Sequence, residues 1–230
     1  MKNLKLKLFS LLFLIPFLLI ICSGCDRINV LVASNKGEDY VRKSMYDEAI
    51  AEYTKIIEIM PRSAPAYHFR AYAYAQKFDF DNAIADYSRA LEIKPTDAEA
   101  RRNLATVYYD RGLLYYNKES YNKSIVDYNK AIELNSNEAD YYYGRALAYD
   151  RKSESDQAIA DYSKAIEIDE NYTSAYINRA VSYFSKQDYD KSWEDVKKVQ
   201  DLKGKMHPEF LEELKKASGT GQLEASPAPE

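Results

Sequence analysis

Cysteine is nearly missing from this chain of 230 residues: there are two, Cys22 and Cys25, both near the N-terminus. Nothing beyond position 25 can form a disulfide or lend a thiolate to a metal, so helix packing alone must hold the fold. Glycine is also scarce, seven residues in all, and none builds a phosphate-cradling loop. The only histidines, His68 and His207, are far apart in sequence, no HExxH or GxSxG motif occurs, and no CxxC lies beyond Cys25. Catalysis is left without a motif, and an enzyme is not expected; nor is a metal site or a cofactor. Basic residues form no cluster: 32 Lys and Arg stand against 36 Asp and Glu, net −4. That balance argues against nucleic acid and against attraction to anionic lipid.

What the chain has in abundance is tyrosine, 22 residues, and it is periodic. Tyr74, Tyr115, Tyr149 and Tyr183 each follow another tyrosine by seven residues (Tyr67, Tyr108, Tyr142, Tyr176) and precede an Ala or Ser by nine (Ala83, Ser124, Ala158, Ser192). Pro61 to Pro95 and Ala131 to Ala165 are both 34 residues; Ala90 to Ala131 is 41. A unit repeating at such a period cannot bury its apolar face alone, and stacked neighbours supply the core. Within a unit, Tyr67, Ala71 and Tyr74 fall on one helix face, and Ala83, Tyr87 and Ala90 on one face of the next. The polar link Lys77 to Asp81 is short enough to force the two helices antiparallel.

These residues resemble the tetratricopeptide repeat: Tyr67, Ala71 and Tyr74 on a first helix, Ala83, Tyr87 and Ala90 on a second, and the closing Pro95. Tyr108, Gly112, Tyr115, Ser124, Tyr128 and Ala131 repeat the pattern, as do Tyr142, Ala146, Tyr149, Ala158, Tyr162 and Ala165. The resemblance covers residues 33–205 and implies an all-α, right-handed solenoid of five antiparallel helix pairs. Its end units are degraded, with Ala33 and Ile56 in the first and Val196, Val199 and Gly204 in the last. A capping helix is expected over 206–218, with Phe210, Leu211 and Leu214 on one face, and a disordered tail over 219–230.

The 41-residue spacing is 34 + 7. Seven residues are nearly two helical turns, so the apolar face returns. One long helix over 98–117 is expected, its first two turns protruding from the stack. The extra turns are either a tolerated insertion or a docking element carrying Arg101 and Arg102. Thr96 with Glu99 reads as the capping box of that helix.

The N-terminus carries Lys2, Lys5 and Lys7 before an apolar run from Leu8 to Cys22. The run is short for a membrane span, which needs about 20 residues, and suits a secretory leader. Its end, Ile21-Cys22-Ser23-Gly24-Cys25, resembles a bacterial lipobox, although Cys22 stands where Leu is usual. The resemblance implies a leader over 1–24, acylation of Cys25, a short tether to residue 32, and a lipid-anchored protein on the extracytoplasmic, periplasmic side of the membrane. An uncleaved anchor helix is the other reading, and inner against outer membrane stays open. Loss of Lys2, Lys5 and Lys7 would bring the net charge to −4 − 3 = −7.

A charge pair recurs at sixteen residues: Arg70 and Asp86, Arg111 and Asp127, Arg145 and Asp161, Arg179 and Asp195, with Lys36 and Glu52 keeping spacing and sign. A matched carboxylate in every unit marks these as structural ion pairs between helices, against the alternative of ligand-binding arginines. A second stripe, His68, Tyr72, Tyr109, Leu113, Tyr116, Tyr143, Leu147, Ile177, Val181 and Phe184, lies beside the core stripe of each first helix. It either lines a concave groove for a partner protein or peptide, or packs against the neighbouring first helix. The expected function is a membrane-anchored protein-interaction module; a self-associating, homo-oligomeric scaffold is the alternative.

Overall fold

The computed structural model describes residues 26–219, and every element among them is an α-helix. Helix α1 occupies 26–42. It is followed by α2 (Tyr46–Ile59), α3 (Ala64–Gln76), α4 (Phe80–Ile93), α5 (Ala98–Asn117), α6 (Tyr121–Leu134), α7 (Ala139–Arg151), α8 (Ser155–Ile168), α9 (Thr173–Ser185), α10 (Tyr189–Asp201) and α11 (Pro208–Ser218). Successive helices pack as neighbours from α2 through α4 and from α6 through α10, the pattern of stacked helix pairs. The leader, Cys25 and the tail from 220 onward lie outside the described residues.

Each first helix stops the same way. The N–H donated to the carbonyls of Tyr40, Tyr74, Tyr115, Tyr149 and Tyr183 comes from the residue five positions on, at Met45, Asp79, Ser120, Glu154 and Asp188. That bond closes a six-residue C-terminal motif whose penultimate residue must be left-handed. Ser44, Phe78, Glu119, Ser153 and Gln187 hold that place at φ between 56° and 62° without a glycine among them. The tyrosines that mark the repeat in sequence are therefore also the residues whose carbonyls end the helix.

The chain divides into two compact units, one up to Val107 and one from Tyr108. In the first unit Ala33, Ala49, Tyr53, Ile56, Ala66 and Ala73 form a core, with Val30, Tyr40 and Val41 of α1 packed on it. In the second, Tyr142, Ala146, Ala158, Tyr162, Ala165 and Ala175 form one cluster. Tyr176, Ala180, Val196, Val199, Met206 and Leu214 form another, with Phe210 and Leu211 against it. Helix α11 thus lays its apolar face on the last pair, and Trp193 Nε1 donates to Ser218 Oγ at its end. Alanine at the crossings lets backbones approach; tyrosine fills what remains. Tyr53, Tyr87, Tyr128 and Tyr162, one each on α2, α4, α6 and α8, are fully buried; Val196 takes the place on α10. Around Tyr128 the fit needs glycine: a Cβ at Gly112 or Gly144 would stand 2.9 and 2.8 Å from its ring.

Four arginine–aspartate pairs tie first helix to second. Each is two-pronged, Nε and Nη2 donating to the two carboxylate oxygens: Arg70 to Asp86 (2.6 and 2.9 Å), Arg111 to Asp127 (2.8 and 2.8 Å), Arg145 to Asp161 (2.7 and 2.7 Å), Arg179 to Asp195 (2.9 and 2.7 Å). Nη1 then reaches sixteen residues back, from Arg70 to Thr54 Oγ1, Arg145 to Asn129 Oδ1 and Arg179 to Ser163 Oγ. One guanidinium so joins its own helix pair to the preceding one. All four aspartates are buried. The fifth pair does not form: Glu52 accepts from Lys55 Nζ at 2.7 Å, one turn away, in place of Lys36.

Three expectations need correction. The first turns of α5 do not protrude. Ala100, Leu104, Ala105 and Val107 are buried, and Asn103 Nδ2 lies 3.4 Å from His68 Nε2. These turns repeat α3 at a spacing of 34 (Ala66, Ala71 and Ala73 become Ala100, Ala105 and Val107) and close the first unit. The remaining turns repeat it at 41 and open the second. Seven inserted residues have given one helix two registers. The cap of α5 is Asp97 rather than Thr96: its carboxylate accepts from Ala100 N–H at 3.1 Å, and this bond lowers its pKa. Finally, residues 26–32, expected as an extended tether, are the first turns of α1.

Candidate functional site

The side-chain stripe of the first helices splits three ways. His68, Tyr109, Tyr143 and Ile177 sit one turn before the open positions and pack inside the stack. His68 meets Tyr87 edge-on at 5.3 Å, Tyr109 lies 5.2 Å from Tyr141, and Tyr143 lies 5.0 Å from Tyr172 and accepts from Asn178 Nδ2 at 2.9 Å. Ile177 packs on the last core cluster. Phe184 is taken up by the cap, 5.5 Å from Phe210 and 5.8 Å from Tyr189. The residues that stay open are Tyr72 in the first unit and Leu113 and Val181 in the second, with Leu147 and Tyr116 half-buried.

Tyr116, Leu147 and Val181 come together in the second unit. They line a cavity of about 570 Å³ whose remaining walls are Asp150, Arg151, Ser153, Ser155, Asn178, Ser182 and Ser185. The polar members were not among the residues singled out in sequence, and the signal for them was available. Asp150 and Arg151 lie at i+3 and i+4 from Leu147, Asn178 and Ser185 lie at i−3 and i+4 from Val181, and Ser182 is one turn beyond Asn178. A stripe defined by apolarity alone passes over them.

Asp150 is the chemical centre of this surface. Its carboxylate accepts from the buried Tyr162 hydroxyl at 2.7 Å and from Ser182 Oγ at 3.0 and 3.2 Å. Arg151 beside it is turned away, Nε donating to Tyr116 OH at 3.1 Å. Half-burial pushes the Asp150 pKa up, the two hydroxyl bonds and Arg151 opposing. Burial does the same to Asp110, with nothing opposing. Burial above all, with the charge of Asp150 and the same hydroxyl bond, drives the Tyr162 phenol up as well. A carboxylate raised in the fold binds more protons there than in the unfolded chain, so its contribution falls as pH rises from the ordinary carboxylate value, about 3.9, through the folded one. Asp150→Asn should therefore gain stability relative to the parent as pH is raised over that window. Paired melting curves from pH 3.5 to 7 check this; a difference that shrinks with rising pH would mean the hydroxyl bonds outweigh desolvation.

Among the described residues no three His, Cys, Asp or Glu side chains are grouped to hold a metal, and no helix is long and apolar enough to cross a membrane. The surface offers shape, one carboxylate, one guanidinium, several hydroxyls and one aromatic edge.

Family models described as TPR repeat match residues 73–112 and 112–153, and one described as Tetratricopeptide repeat matches 139–172. Residues 73–172 are tetratricopeptide repeats. A crystal structure of MamA is 26% identical, aligned over 73% of this chain and 94% of its own, with a TM-score of 0.54. MamA from Desulfovibrio magneticus RS-1 is 17% identical over 76% of this chain and 95% of its own, TM-score 0.54. YrrB, titled a TPR protein with an unusual peptide-binding site, is 21% identical over 73% of this chain and 83% of its own, TM-score 0.51. No curated protein matches the chain in sequence. The likeness to these structures extends to the fold of the tetratricopeptide repeat. The repeat models run across the 41-residue spacing, consistent with one helix serving two registers.

Proposed function

We propose that this protein is a membrane-anchored interaction module that holds an extended or helical segment of a partner protein against the first helices of its second unit. The observation that carries the reading is the cavity in which Tyr116, Leu147 and Val181 meet the polar set around Asp150. It combines apolar side chains for burial with a few directed polar groups for orientation, the usual make-up of a recognition surface. A peptide-binding site is also named for YrrB. Acylation of Cys25 would fix the module to the extracytoplasmic membrane face; two or three acyl chains anchor firmly where one binds only marginally.

Tyr109 and Tyr143 are unsuited to testing this, because both are packed inside the stack. Val181 is the better probe, being 41% exposed on the cavity wall, with Val126, 59% exposed on α6, as control. A photo-cross-linking amino acid at each position in cells should give partner adducts from 181 several-fold above those from 126. Adducts at twice the mass of the chain would support the self-associating scaffold instead. Equal yields at both positions would dismiss the groove.

A further inference from the structure

Helix α1 has two different faces in its first turns. Val30 and, further on, Ala33, Tyr40 and Val41 belong to the core of the first unit. Ile28, Leu31 and Val32 point the other way, 63, 62 and 45% exposed. Their spacing of i, i+3 and i+4 makes them one patch. The same face changes character further along the helix: Asn35 and Asp39 follow at the next turns, and Asp39 accepts from Lys43 Nζ at 2.6 Å. The patch is thus apolar only at the end nearest the N-terminus and polar beyond it.

We infer that Ile28, Leu31 and Val32 lie in the lipid interface, so that α1 is a second, rigid attachment of the first unit to the membrane. The inference rests on the membrane anchoring proposed above. The argument for lipid as the occupant is continuity. Cys25, the expected acyl site, immediately precedes the helix, and the apolar run from Leu8 to Cys22 precedes that. An acylated Cys25 and an uncleaved anchor helix both put residue 26 at the membrane surface. At about 1.5 Å per residue, Val32 is only about 9 Å further along the helix axis. Val32 is therefore within reach of the boundary between headgroups and acyl chains, into which interfacial helices sink their apolar side. Charge gives no help, since the protein is net acidic, so insertion must come from the apolar side chains.

The consequence is orientation. A flexible seven-residue tether would let the domain tumble over the bilayer. A continuous helix from 26 to 42, whose other face is built into the core, holds the first unit at one attitude to the membrane.

The test uses the full chain, expressed with its leader and reconstituted into phosphatidylethanolamine–phosphatidylglycerol vesicles. Ile28→Cys, Leu31→Cys, Val32→Cys and, as reference, Arg42→Cys are made singly in a Cys22→Ala background and labelled with an environment-sensitive fluorophore. Labels at 28, 31 and 32 should shift to the blue and be quenched several-fold by nitroxide-bearing lipids, while the label at 42 stays in water and unquenched. Water-like emission at all four overturns the inference. So does blue-shifted emission that lipid nitroxides fail to quench, which would place a second copy or another protein on the patch. Flotation with the vesicles, compared between the parent and Cys25→Ser, reads the anchor separately. Flotation lost in Cys25→Ser, together with water-like labels at 28, 31 and 32, would keep the acyl anchor and discard the inserted helix.

Discussion

Replacing Asp161 by Ala should cost the second unit about 3–5 kcal/mol, the range seen when one partner of a buried ion pair is removed. The aspartate side chain is 9% exposed and that of Arg145 20%. Without Asp161 the guanidinium keeps Asn129 on Nη1 and the Tyr142 ring 5.7 Å away, but Nε and Nη2 lose their acceptors in a site that water reaches poorly. The loss is far above the 0–1 kcal/mol of a surface pair because the charge stays buried after its partner is gone. For a domain of this size it corresponds to a fall in melting temperature on the order of ten degrees. In a stacked array the damage should be local, with amide exchange rising first in α7 and α8. A measured cost under 1 kcal/mol would show that the ladder is solvated and that packing alone sets the helix register.

Two tyrosine-to-phenylalanine changes at the same place in the repeat should have opposite signs. Tyr53 and Tyr162 both fill the space between helices and both are fully buried. The Tyr162 hydroxyl has a partner, Asp150 at 2.7 Å, and the Tyr53 hydroxyl has none. Burial also pushes the Tyr53 phenol up to about 12. Removing an unsatisfied buried hydroxyl relieves a desolvation penalty of roughly 1–3 kcal/mol, so Tyr53→Phe should stabilise the first unit by up to that amount. Tyr162→Phe should destabilise the second by a similar amount, because a half-buried carboxylate loses its shortest bond and keeps only Ser182. Denaturant titration of each variant decides the matter by sign. Two losses would mean that a water or another group satisfies Tyr53.

The carboxylate at issue is the one that faces the cavity, so the second substitution also bears on function. Tyr162 holds Asp150 from behind while the other side of the carboxylate remains open to the surface. Loss of partner adducts at 181 in a Tyr162→Phe variant that remains folded would tie the buried tyrosine to recognition.

Much of this molecule was written in one dimension. The tyrosine and alanine spacing determined the helix pairs, their order, the degraded ends and the bounds of the long helix at 98 and 117. The sixteen-residue arginine–aspartate spacing determined four of the ladder's rungs, since two helices of constant length and a constant link return the same positions to each other. Periodicity names the residues that share a face; it does not say what covers that face. Only the neighbouring helices decided that His68, Tyr109, Tyr143 and Ile177 are packed while Leu113 and Val181 stay open, that Asp150 stands in the cavity wall, and that Lys55 takes Glu52 from Lys36. The doubled register of α5 is the clearest case: the insertion was plain in the spacing, but the burial of its first turns depended on α3 and α4 presenting a surface to them. In α1 likewise, only the packed core shows that Val30 points inward and leaves Ile28, Leu31 and Val32 uncovered.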